Sequence, residues 1–347
     1  MVIEARRIVF PAIRQAQWET YSVPAEPDAG AALKPHEVLV RTACTLVSAG
    51  TEIAIYSGNH IGFRTPGATY PRMPFHPGYA SAGTVVAIGD AVTTFRPGDR
   101  VCGSQRHEPW SVVSTESGSR LLPLPEGVSF EQGCLSRLAS IAVQGVRLAR
   151  VQLGERAAVF GQGLIGQFAR QVASLDGATT TIAIDRIDAR LNIGRRHGAT
   201  HIFNPDRDDI SAAVASATGG SGADVVIEAT GSPAVINTAL GIAANLGRVI
   251  LLGSPRGKVE IDPYNDIHRK GVALIGAHAN TAAAAPNAYH RWTSNEHQLI
   301  CLELMRQGRL LTEGLVTHRL AETEALGVFE ALTEQPENYL GVTISWE

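Results

Sequence analysis

Hydrophobic and polar residues follow different patterns in two parts of this chain. Up to about residue 124, short β-like runs such as Glu37–Thr42 and Gly83–Ile88 alternate with turns rich in proline and glycine, which is typical of a barrel of short strands. From about residue 150 to 280, six apolar runs alternate with helical segments, which predicts a doubly wound parallel sheet and an α/β protein. The expected strands of this sheet are Ala157–Phe160, Thr180–Asp185, His201–Phe203, Val225–Glu228, Arg248–Leu252 and Val272–Ile275.

The tail of the chain, from about residue 296, has the pattern of helix, strand, helix and strand with mixed polarity. We therefore expect it to complete the first domain. The predicted organisation is a substrate domain of residues 1–124 and 296–347, with a dinucleotide-binding domain of residues 125–295 inserted into it. The apolar run Val272–Ala277 would form an edge of the parallel sheet, and exposed apolar edges favour pairing with another chain. We expect a homodimer or homotetramer.

A glycine-rich turn follows the first of these strands and opens a helix. Its sequence is Gly161-Gln162-Gly163-Leu164-Ile165-Gly166, and the helix after it has one apolar face. In such a turn the first glycine permits the sharp bend, the second lets a pyrophosphate approach the backbone, and the third lets helix and strand pack closely. The helix N-terminus adds N–H groups and partial positive charge. Gly161, Gly163, Leu164, Ile165 and Gly166 are therefore expected to bind a dinucleotide.

An acidic residue, Asp185, stands nineteen residues after Gly166 at the end of the next apolar run. A carboxylate at this place accepts hydrogen bonds from the adenosine ribose and repels a 2′-phosphate, so NAD is favoured over NADP. NADP stays possible because Arg186 is adjacent. Arg190, one helical turn further on, could reach the ribose or the pyrophosphate, although a solvated helix face would explain either arginine equally well.

Composition limits the classes of function. The chain has 347 residues, of which 44% are hydrophobic and 18% charged, so buried cores are expected and a disordered protein is excluded. With 30 basic and 33 acidic residues the formal net charge is −3, which argues against nucleic acid or an acidic membrane as a partner. No stretch approaches the roughly 20 apolar residues of a membrane span, and no secretory signal is present. The partner should be a small-molecule substrate, and the protein should be cytoplasmic.

The four cysteines, Cys44, Cys102, Cys134 and Cys301, include no CxxC pair. Neither a structural zinc knot nor a thioredoxin-type redox pair is therefore expected. We expect free thiols, as is usual in a reducing cytoplasm.

Several further segments extend over nearly the whole length of the chain: AGTEIAIYSG at 49–58, PGYASAGTVVAIG at 77–89, RPGDRV at 96–101, GQGLIGQ at 161–167 and DVVIEATG at 224–231. With them the chain resembles the medium-chain dehydrogenase/reductase superfamily, which contains zinc alcohol dehydrogenases and zinc-free quinone reductases. The resemblance implies a GroES-like barrel joined to a Rossmann domain, with the active site in the cleft between them. Further cofactor contacts are expected at two places that follow strands, namely Thr230, Gly231, Gly253 and Ser254.

The chain departs from the zinc enzymes where they bind metal. Their cysteine ligand falls at Ser48 or Ala49, and their Gly-His-Glu motif aligns with Gly78-Tyr79-Ala80. Their later ligand falls near Ser136-Arg137. Zinc needs three or four nitrogen, sulfur or oxygen ligands, so we predict neither a catalytic nor a structural zinc.

Without a metal, the substrate oxygen needs another proton donor and acceptor. Thr51 matches the hydroxyl residue that relays protons in the zinc enzymes, whereas Ala54 stands where their relay histidine usually follows. Tyr79 could donate to a developing alkoxide, although it could also be only a wall of the cleft. His76 is a further candidate for the acid–base group. The predicted catalytic residues are Thr51, Tyr79 and His76.

Residues close to these in sequence are expected to bind the substrate, namely Ser48, Glu52, Tyr56, His60 and Arg64. Glu52 could instead be structural, bonded to backbone or to an arginine. The segment 56–75 is a long loop with little periodicity, and such loops are usually functional or simply mobile. Its histidine and arginines favour a hydroxylated or anionic substrate, such as a sugar derivative.

The leading hypothesis is a zinc-independent oxidoreductase that transfers a hydride between NAD(H) and a secondary alcohol or ketone, similar to sorbitol and threonine dehydrogenases. One alternative is an NAD(P)H-dependent enone or quinone reductase acting on a polarised C=C bond. A second alternative is a cofactor-binding protein without turnover.

Overall fold

The structure is a computed structural model, and it describes residues 2–24, 32–116, 119–283, 285–286 and 292–346. The chain divides into two compact units, Met1–Arg137 with Gln298–Glu347, and Leu138–His297. The first division lies within a long helix, later than the 124/125 boundary that the sequence pattern suggested. The reason is that this helix packs closely on the first unit at Gly133, where a Cβ atom would lie 3.0 Å from Leu124 and 3.2 Å from Cys102. The second division lies close to the expected boundary at 295/296.

Fifteen strands are described in chain order. They are β1 (Val2–Val9), β2 (Gln17–Pro24), β3 (Glu37–Val47), β4 (Ser81–Ile88), β5 (Arg100–Gly103), β6 (Trp110–Ser114), β7 (Leu122–Pro123), β8 (Arg156–Phe160), β9 (Thr180–Ile184), β10 (His201–Phe203), β11 (Ala223–Glu228), β12 (Ala243–Leu251), β13 (Ala273–Gly276), β14 (Val316–Ala321) and β15 (Gly341–Ser345).

The α-helices of the described residues are α1 (Thr51–Tyr56), α2 (Phe130–Ala149), α3 (Leu164–Asp176), α4 (Asp188–Arg196), α5 (Ile210–Ala217), α6 (Pro233–Ile242), α7 (Ser294–Arg306) and α8 (Val328–Glu334). Short 3₁₀ segments lie at Ile61–Arg64, Ala279–Thr281, Glu322–Gly327 and Pro336–Asn338, and a π-helical turn lies at Pro263–His268. Within the described part of the chain, no helix is long and apolar enough to cross a membrane.

The first unit is built on a seven-stranded sheet with the order β14-β15-β3-β4-β5-β7, in which β6 also pairs with β3, and on a separate β1–β2 hairpin. The expected β-like runs lie in β3 and β4. Antiparallel pairing of β15 with β3 aligns Val342 with Val47, so the C-terminal tail is part of this unit. Its core contains an aromatic cluster, in which the ring of Phe10 lies 5.2 Å from that of Tyr56 and 4.8 Å from that of Phe329.

The second unit contains a six-stranded parallel sheet with the order β10-β9-β8-β11-β12-β13. The sequence order of the strands thus reverses between β8 and β11, which is the arrangement of a doubly wound dinucleotide-binding sheet. The prediction of this sheet and of its six strands is confirmed. Strands β8, β9 and β11 are almost wholly buried, as expected for a sheet covered on both faces by helices. β13 lies at one edge of the sheet.

Candidate active site

The glycine turn joins β8 to α3 at the point where the strand order reverses. Gly161 has a φ of +83°, a conformation that favours glycine. A Cβ atom at Gly166 would lie 1.7 Å from the carbonyl oxygen of Gly161, so no side chain fits there. Gly163, by contrast, has open space beside it. Leu164 is buried and Ile165 half-buried in the first turn of α3, whose free N–H groups can bind phosphate oxygens.

Asp185 follows β9 and connects two backbone segments. Its carboxylate accepts hydrogen bonds from the N–H of Gln162, at 2.6 Å, and from the N–H of Ile187, at 2.8 Å. The first of these bonds ties the end of β9 to the glycine turn. An ionised carboxylate has about four lone-pair sites, so Asp185 keeps the capacity to accept further hydrogen bonds from a sugar hydroxyl.

The two arginines after Asp185 have different surroundings. The side chain of Arg186 is 75% exposed, and its Nε donates to both carboxylate oxygens of Asp206, at 2.9 and 3.0 Å. Its charge is thus partly balanced by an acid that the sequence analysis did not identify. Arg190 lies in α4, and its carbonyl oxygen accepts a hydrogen bond of 2.8 Å from Gln167. This bond holds α4 against the first turns of α3.

Two further loops, which follow the neighbouring strands β11 and β12, pack closely against each other. Gly231 has a φ of +70°, and a Cβ atom there would lie 2.5 Å from the carbonyl oxygen of Ser254. A Cβ atom at Gly253 would lie 2.4 Å from the nitrogen of Gly231. Both loops therefore require glycine, while Thr230 and Ser254 are exposed beside them.

Glu228, at the end of β11, organises these loops and was not among the expected site residues. Its buried carboxylate accepts hydrogen bonds from the N–H of Thr230 at 2.6 Å, from the N–H of Gly231 at 3.1 Å and from the hydroxyl of Thr230. Burial raises the pKa of Glu228. The motif DVVIEATG contained this residue, but its role depends on a turn that only the folded chain shows.

In the first unit, three hydroxyl side chains from different segments come together. The hydroxyls of Ser48 and Tyr79 share a hydrogen bond of 2.5 Å in which either can donate. The N–H of Thr51 donates to Ser48 Oγ at 3.4 Å, and the Thr51 hydroxyl contacts Tyr79. We call Ser48, Thr51 and Tyr79 the hydroxyl cluster. The sequence analysis had identified all three residues, two as catalytic and Ser48 as substrate-binding.

Charged groups on several sides act on Tyr79. Burial raises the pKa of Tyr79, and the Glu52 carboxylate raises it further. The hydroxyls of Ser48 and Thr51 and the guanidinium of Arg137 act in the opposite direction, because they stabilise the phenolate. Arg137 lies over the ring of Tyr79, with 5.7 Å from its Cζ to the ring centroid. The sequence analysis noted Arg137 only as a residue that cannot bind zinc.

Glu52 was expected to contact the substrate, and the structure corrects this expectation. Glu52 is 1% exposed, and its carboxylate lies 2.9 Å from Nε2 of the buried His107. The other ring nitrogen of His107 bonds to Thr45 Oγ1 at 2.7 Å, which also accepts from the indole of Trp346 at 2.9 Å. The alternative structural role therefore applies, with a histidine instead of backbone or an arginine as the partner. His107 lies 55 positions from Glu52 in sequence, so the local pattern does not indicate that they are partners.

Tyr56 was also expected to bind substrate, but its side chain is buried in the aromatic core. Its hydroxyl donates to Glu330 at 3.1 Å. The reason is that Tyr56 lies at the end of α1 on the face that packs against α8. The described contacts of Tyr56 are therefore those of a core residue.

His76 was expected to be an acid–base group at the hydroxyl cluster. Its Nε2 lies 2.8 Å from the carboxylate of Glu19, which also pairs with Arg7. Among the described residues, no hydrogen bond joins His76 to the hydroxyl cluster. The carboxylate of Glu19, distant in sequence, thus holds His76 in another group of charged side chains, and its catalytic role stays a prediction without a described contact to the hydroxyl cluster.

The remaining two predicted residues lie in the loop after α1. His60 accepts a hydrogen bond of 3.1 Å from the N–H of Gly62 and contacts the ring of Tyr70 edge-on, with 5.4 Å between centroids. Arg64 is exposed and donates to Asn59 at 3.1 Å. Tyr70 was not predicted, yet burial of part of its ring, together with the nearby Tyr79 and Glu52, raises its pKa to about 12. This loop therefore brings Tyr70 close to Tyr79 of the hydroxyl cluster, with His60 against the ring of Tyr70.

The donor set of the hydroxyl cluster does not suit zinc. Zinc sites in proteins use cysteine sulfur, histidine nitrogen or carboxylate oxygen, whereas Ser48, Thr51 and Tyr79 offer neutral hydroxyls and Arg137 adds a positive charge beside them. Among the residues that the structure describes, no three His, Cys, Asp or Glu side chains are grouped so that they could hold a metal ion. The four cysteines are buried free thiols.

Comparison with known protein families gives two matches along the chain. Residues 34–146 match the alcohol dehydrogenase GroES-like domain. Residues 165–294 match the family described as zinc-binding dehydrogenase. The first match covers most of the seven-stranded sheet of the first unit. The second covers the part of the parallel sheet that follows the glycine turn.

Curated relatives are dehydrogenases and reductases of hydroxylated compounds. The chain is 31% identical over 244 residues to D-guloside 3-dehydrogenase of Escherichia coli (strain K12), which covers 70% of this chain and 69% of that protein. It is 26% identical over 343 residues to D-xylulose reductase of Saccharomyces cerevisiae, covering 89% and 90% of the two chains.

Solved structures show the same fold. An oxidoreductase/dehydrogenase of unknown specificity from Escherichia coli superposes with a TM-score of 0.82 at 21% identity, covering 99% of each chain. A putative zinc-binding dehydrogenase from Sinorhizobium meliloti 1021, bound to NADP, superposes with a TM-score of 0.80 at 21% identity, also over 99% of each chain. With a GroES-like unit, a doubly wound parallel sheet and these matches, the chain belongs to the medium-chain dehydrogenase/reductase superfamily of oxidoreductases.

Proposed function

We propose that this protein is a zinc-independent dehydrogenase that interconverts a secondary alcohol and a ketone with NAD(H). The observation that carries the proposal is the 2.5 Å hydrogen bond between Ser48 and Tyr79. This bond joins two hydroxyl groups, one of them a phenol. By the resemblance to zinc enzymes, Ser48 and Tyr79 stand where those enzymes have metal ligands. A phenol can exchange a proton with a substrate oxygen. Such a proton donor and acceptor is needed when no metal polarises that oxygen.

The second unit would hold the cofactor. The residues fit a nicotinamide dinucleotide because Gly163 leaves open space beside the first turn of α3, and because Asp185 keeps acceptor capacity for a ribose. When bound, the nicotinamide supplies or accepts the hydride. The backbone N–H groups of Leu164 and Ile165 would bind the pyrophosphate. The loops at Thr230–Gly231 and Gly253–Ser254, which Glu228 holds in place, would complete the binding surface.

In the first unit, Tyr79 would transfer the proton. During alcohol oxidation, its phenolate takes the proton from the substrate hydroxyl, and during ketone reduction its hydroxyl gives the proton back. Ser48 and Thr51 position the Tyr79 oxygen and stabilise its negative charge through hydrogen bonds. The bond between Glu52 and His107 fixes the start of α1.

The substrate is proposed to be a polyol, sugar or sugar derivative. Tyr70 lies near Tyr79 and contacts the ring of His60, and the residue is 51% exposed. An exposed tyrosine ring offers an apolar face to the C–H groups of a sugar and a polar hydroxyl to its edge. The relatives named for D-guloside and D-xylulose support this class of substrate.

NAD is proposed as the preferred cofactor. Asp185 would repel a 2′-phosphate, and Arg186, which could attract one, is paired with Asp206. A structural neighbour bound to NADP makes a direct comparison of the two cofactors necessary.

The proposal is tested with a panel of polyols, sugars, simple secondary alcohols, ketones and enones, each with NAD(H) and NADP(H). Oxidation of hydroxylated substrates with NAD is the expected result. Reduction of enones without alcohol oxidation would favour an enone or quinone reductase, and cofactor binding without turnover would favour a binding protein. Chelation should leave activity unchanged, and elemental analysis should find no zinc. A stoichiometric, chelator-sensitive zinc would overturn the zinc-independent mechanism.

We also propose a homodimer formed through β13. This strand lies at an edge of the parallel sheet, pairs only with β12 among the described strands, and has exposed positions at Ala273 and Gly276. A two-fold partner could extend the sheet through the same strand. Light scattering should give twice the mass of one chain, and Leu274→Pro, which removes a backbone donor in that strand, should shift the mass toward that of a single chain.

A further inference from the structure

A buried positive charge lies beside Tyr79. Arg137 is 7% exposed, and its guanidinium lies over the tyrosine ring, 5.7 Å from the centroid. The residue is part of α2, and in the alignment with zinc enzymes it falls, with Ser136, near their last metal ligand. Tyr79 itself falls in their Gly-His-Glu motif. Two positions next to the metal in those enzymes are thus occupied here by a cation and a phenol in direct contact.

We propose that the guanidinium of Arg137 provides the fixed positive charge that a metal ion would otherwise provide, and thereby lowers the pH at which Tyr79 can accept the substrate proton. The inference rests on the proposed role of Tyr79 as the acid–base group. Arg137 is a positioning residue in this account, since it acts on the tyrosine and does not itself exchange the proton.

The charges around Tyr79 explain why such a cation is needed. Tyr79 is half-buried, and the Glu52 carboxylate lies near it on α1, so both effects oppose formation of a phenolate. Tyr70 in the loop carries no charge at neutral pH. The hydroxyls of Ser48 and Thr51 can only donate hydrogen bonds to the phenolate. Arg137 is therefore the group with a full positive charge that acts on Tyr79 in the described part of the chain.

Burial does not remove this charge. Burial and the nearby Arg120 lower the pKa of Arg137, whereas Tyr79 raises it. The intrinsic pKa of an arginine is so high that the side chain stays protonated in proteins. The positive charge is thus permanent over the pH range in which a dehydrogenase works, and the planar guanidinium can stay against the ring while the tyrosine titrates.

The titration of Tyr79 gives a test that needs neither substrate nor cofactor. The 347-residue chain is labelled with tyrosine carrying ¹³C at Cζ, and the Tyr79 signal among the 7 tyrosines is assigned by its loss in Tyr79→Phe. We compare the wild type, Arg137→Met, Arg137→Gln and Arg137→Lys. Loss of the charge should raise the pKa of Tyr79 further in the two neutral variants. Arg137→Lys keeps a charge and should show a smaller shift.

The pH profile of turnover gives the second readout. The rate of alcohol oxidation should rise with pH and level off once Tyr79 is ionised. In Arg137→Met or Arg137→Gln this break should move to higher pH, by the same amount as the Tyr79 titration moves. A structural role alone would lower the rate at every pH and leave the break where it is. Thermal unfolding and NAD affinity confirm that each variant is folded, and the two neutral variants guard against a defect peculiar to one of them.

The outcomes separate this inference from the proposed function. If Tyr79→Phe abolishes the pH-dependent break but the neutral Arg137 variants keep both the Tyr79 titration and the break of the wild type, the role of Arg137 is wrong and the role of Tyr79 stands. If Tyr79→Phe keeps the break, Tyr79 is not the acid–base group and the proposal for Arg137 fails with it.

Discussion

The glycine turn and the hydroxyl cluster are built in opposite ways. At the glycine turn the binding atoms belong to the backbone. Glycine is needed there because a side chain would not fit: a Cβ atom at Gly166 would lie 1.7 Å from the carbonyl oxygen of Gly161. At the hydroxyl cluster the working atoms are side-chain oxygens and a guanidinium, contributed by Ser48, Tyr79 and Arg137. The first site depends on chain geometry within a few residues, and the second depends on contacts between distant segments.

This difference has a consequence for substitutions. Changes at the glycine turn should act on folding or on cofactor affinity, because the backbone either keeps its path or does not. Changes at the hydroxyl cluster should act on the chemical step and its pH dependence, because side chains can be exchanged there without moving the backbone. The experiments below test this separation.

The largest expected effect is that of Tyr79→Phe. The ring and its contact with Arg137 remain, but the proton donor is lost, so turnover should fall by about 10²- to 10⁴-fold. The Kd for NAD should stay within about threefold, which corresponds to less than about 1 kcal/mol. Steady-state kinetics and calorimetric titration with NAD measure the two quantities. Thr51→Ala should also lower turnover with little change in NAD affinity.

A matched control for this change is Tyr21→Phe. The Tyr21 hydroxyl donates to the carbonyl oxygen of Trp110 at 2.7 Å, so the same atom is removed from the same residue type at a structural position. Turnover should remain near that of the wild type. If Tyr79→Phe behaves like Tyr21→Phe, the proton donor lies elsewhere, and His60 is the next candidate, since His76 is bonded to Glu19.

Two alanine substitutions in the glycine turn should differ sharply in their effect. Gly166→Ala must displace a backbone carbonyl and should lower the free energy of unfolding by about 3 kcal/mol or more. Gly163→Ala adds a methyl group where no protein atom lies within 4 Å, so stability should change by less than about 1 kcal/mol. The same methyl group stands where a pyrophosphate would approach, and NAD affinity should fall by about tenfold, or 1.4 kcal/mol.

Denaturant unfolding and NAD titration distinguish these results. Retention of full NAD affinity in Gly163→Ala would show that the cofactor does not use this turn. A stable Gly166→Ala protein would show that α3 can move away from β8. The claim that the backbone path at this turn requires glycine would then be refuted.

The same contrast explains how much the sequence could reveal. All six strands of the parallel sheet and the glycine turn were predictable because apolar periodicity and the spacing of glycines are local properties. In the hydroxyl cluster, Ser48, Thr51 and Tyr79 were found only through their resemblance to metal-ligand positions. Glu52, Tyr56 and His76 each bond to a partner from a distant segment, and the local sequence pattern did not indicate these partners.

The residues that were missed share this feature. Arg137 lies 58 positions after Tyr79 in sequence, and nothing in the local pattern of α2 indicates that its side chain covers a tyrosine ring. His107 pairs with Glu52 across 55 positions. Glu228 was visible in a motif, but its bonds to the N–H groups of Thr230 and Gly231 depend on a tight turn after the strand.

Acid pH should destabilise the protein through His297, which limits the pH range for testing the hydroxyl cluster. His297 is 1% exposed, and no described residue bonds to its ring nitrogens. Burial, with Arg147, lowers its pKa to about 4, while Glu296 opposes the shift. The unfolded chain therefore binds a proton at higher pH than the folded chain, and stability should be lost as the pH falls from about 6.5 toward 4.

The expected loss is about 2–3 kcal/mol over this range. Urea unfolding between pH 4 and 7 measures it, and His297→Leu, which cannot bind a proton, should show a weaker dependence on pH. An equal pH dependence in the variant and the wild type would contradict the assignment. Activity profiles of Tyr79 and Arg137 variants should then be compared above pH 6.5, where this histidine no longer contributes.

The smallest expected effect concerns the choice between NAD and NADP. This choice should depend on the side chain of Asp185, whereas the glycine turn beside it binds through backbone atoms. Asp185→Asn keeps an oxygen that can accept from the N–H of Gln162 but removes the negative charge that would repel a 2′-phosphate. The preference for NAD over NADP should narrow by about three- to tenfold, or roughly 0.6–1.4 kcal/mol. The paired control is Arg186→Ala, which removes a guanidinium bonded to Asp206 and should leave both affinities nearly unchanged. Titration of each variant with both cofactors gives the answer. If the wild type prefers NADP and Arg186→Ala abolishes that preference, Arg186 leaves Asp206 to bind the phosphate, and Asp185 does not determine the cofactor.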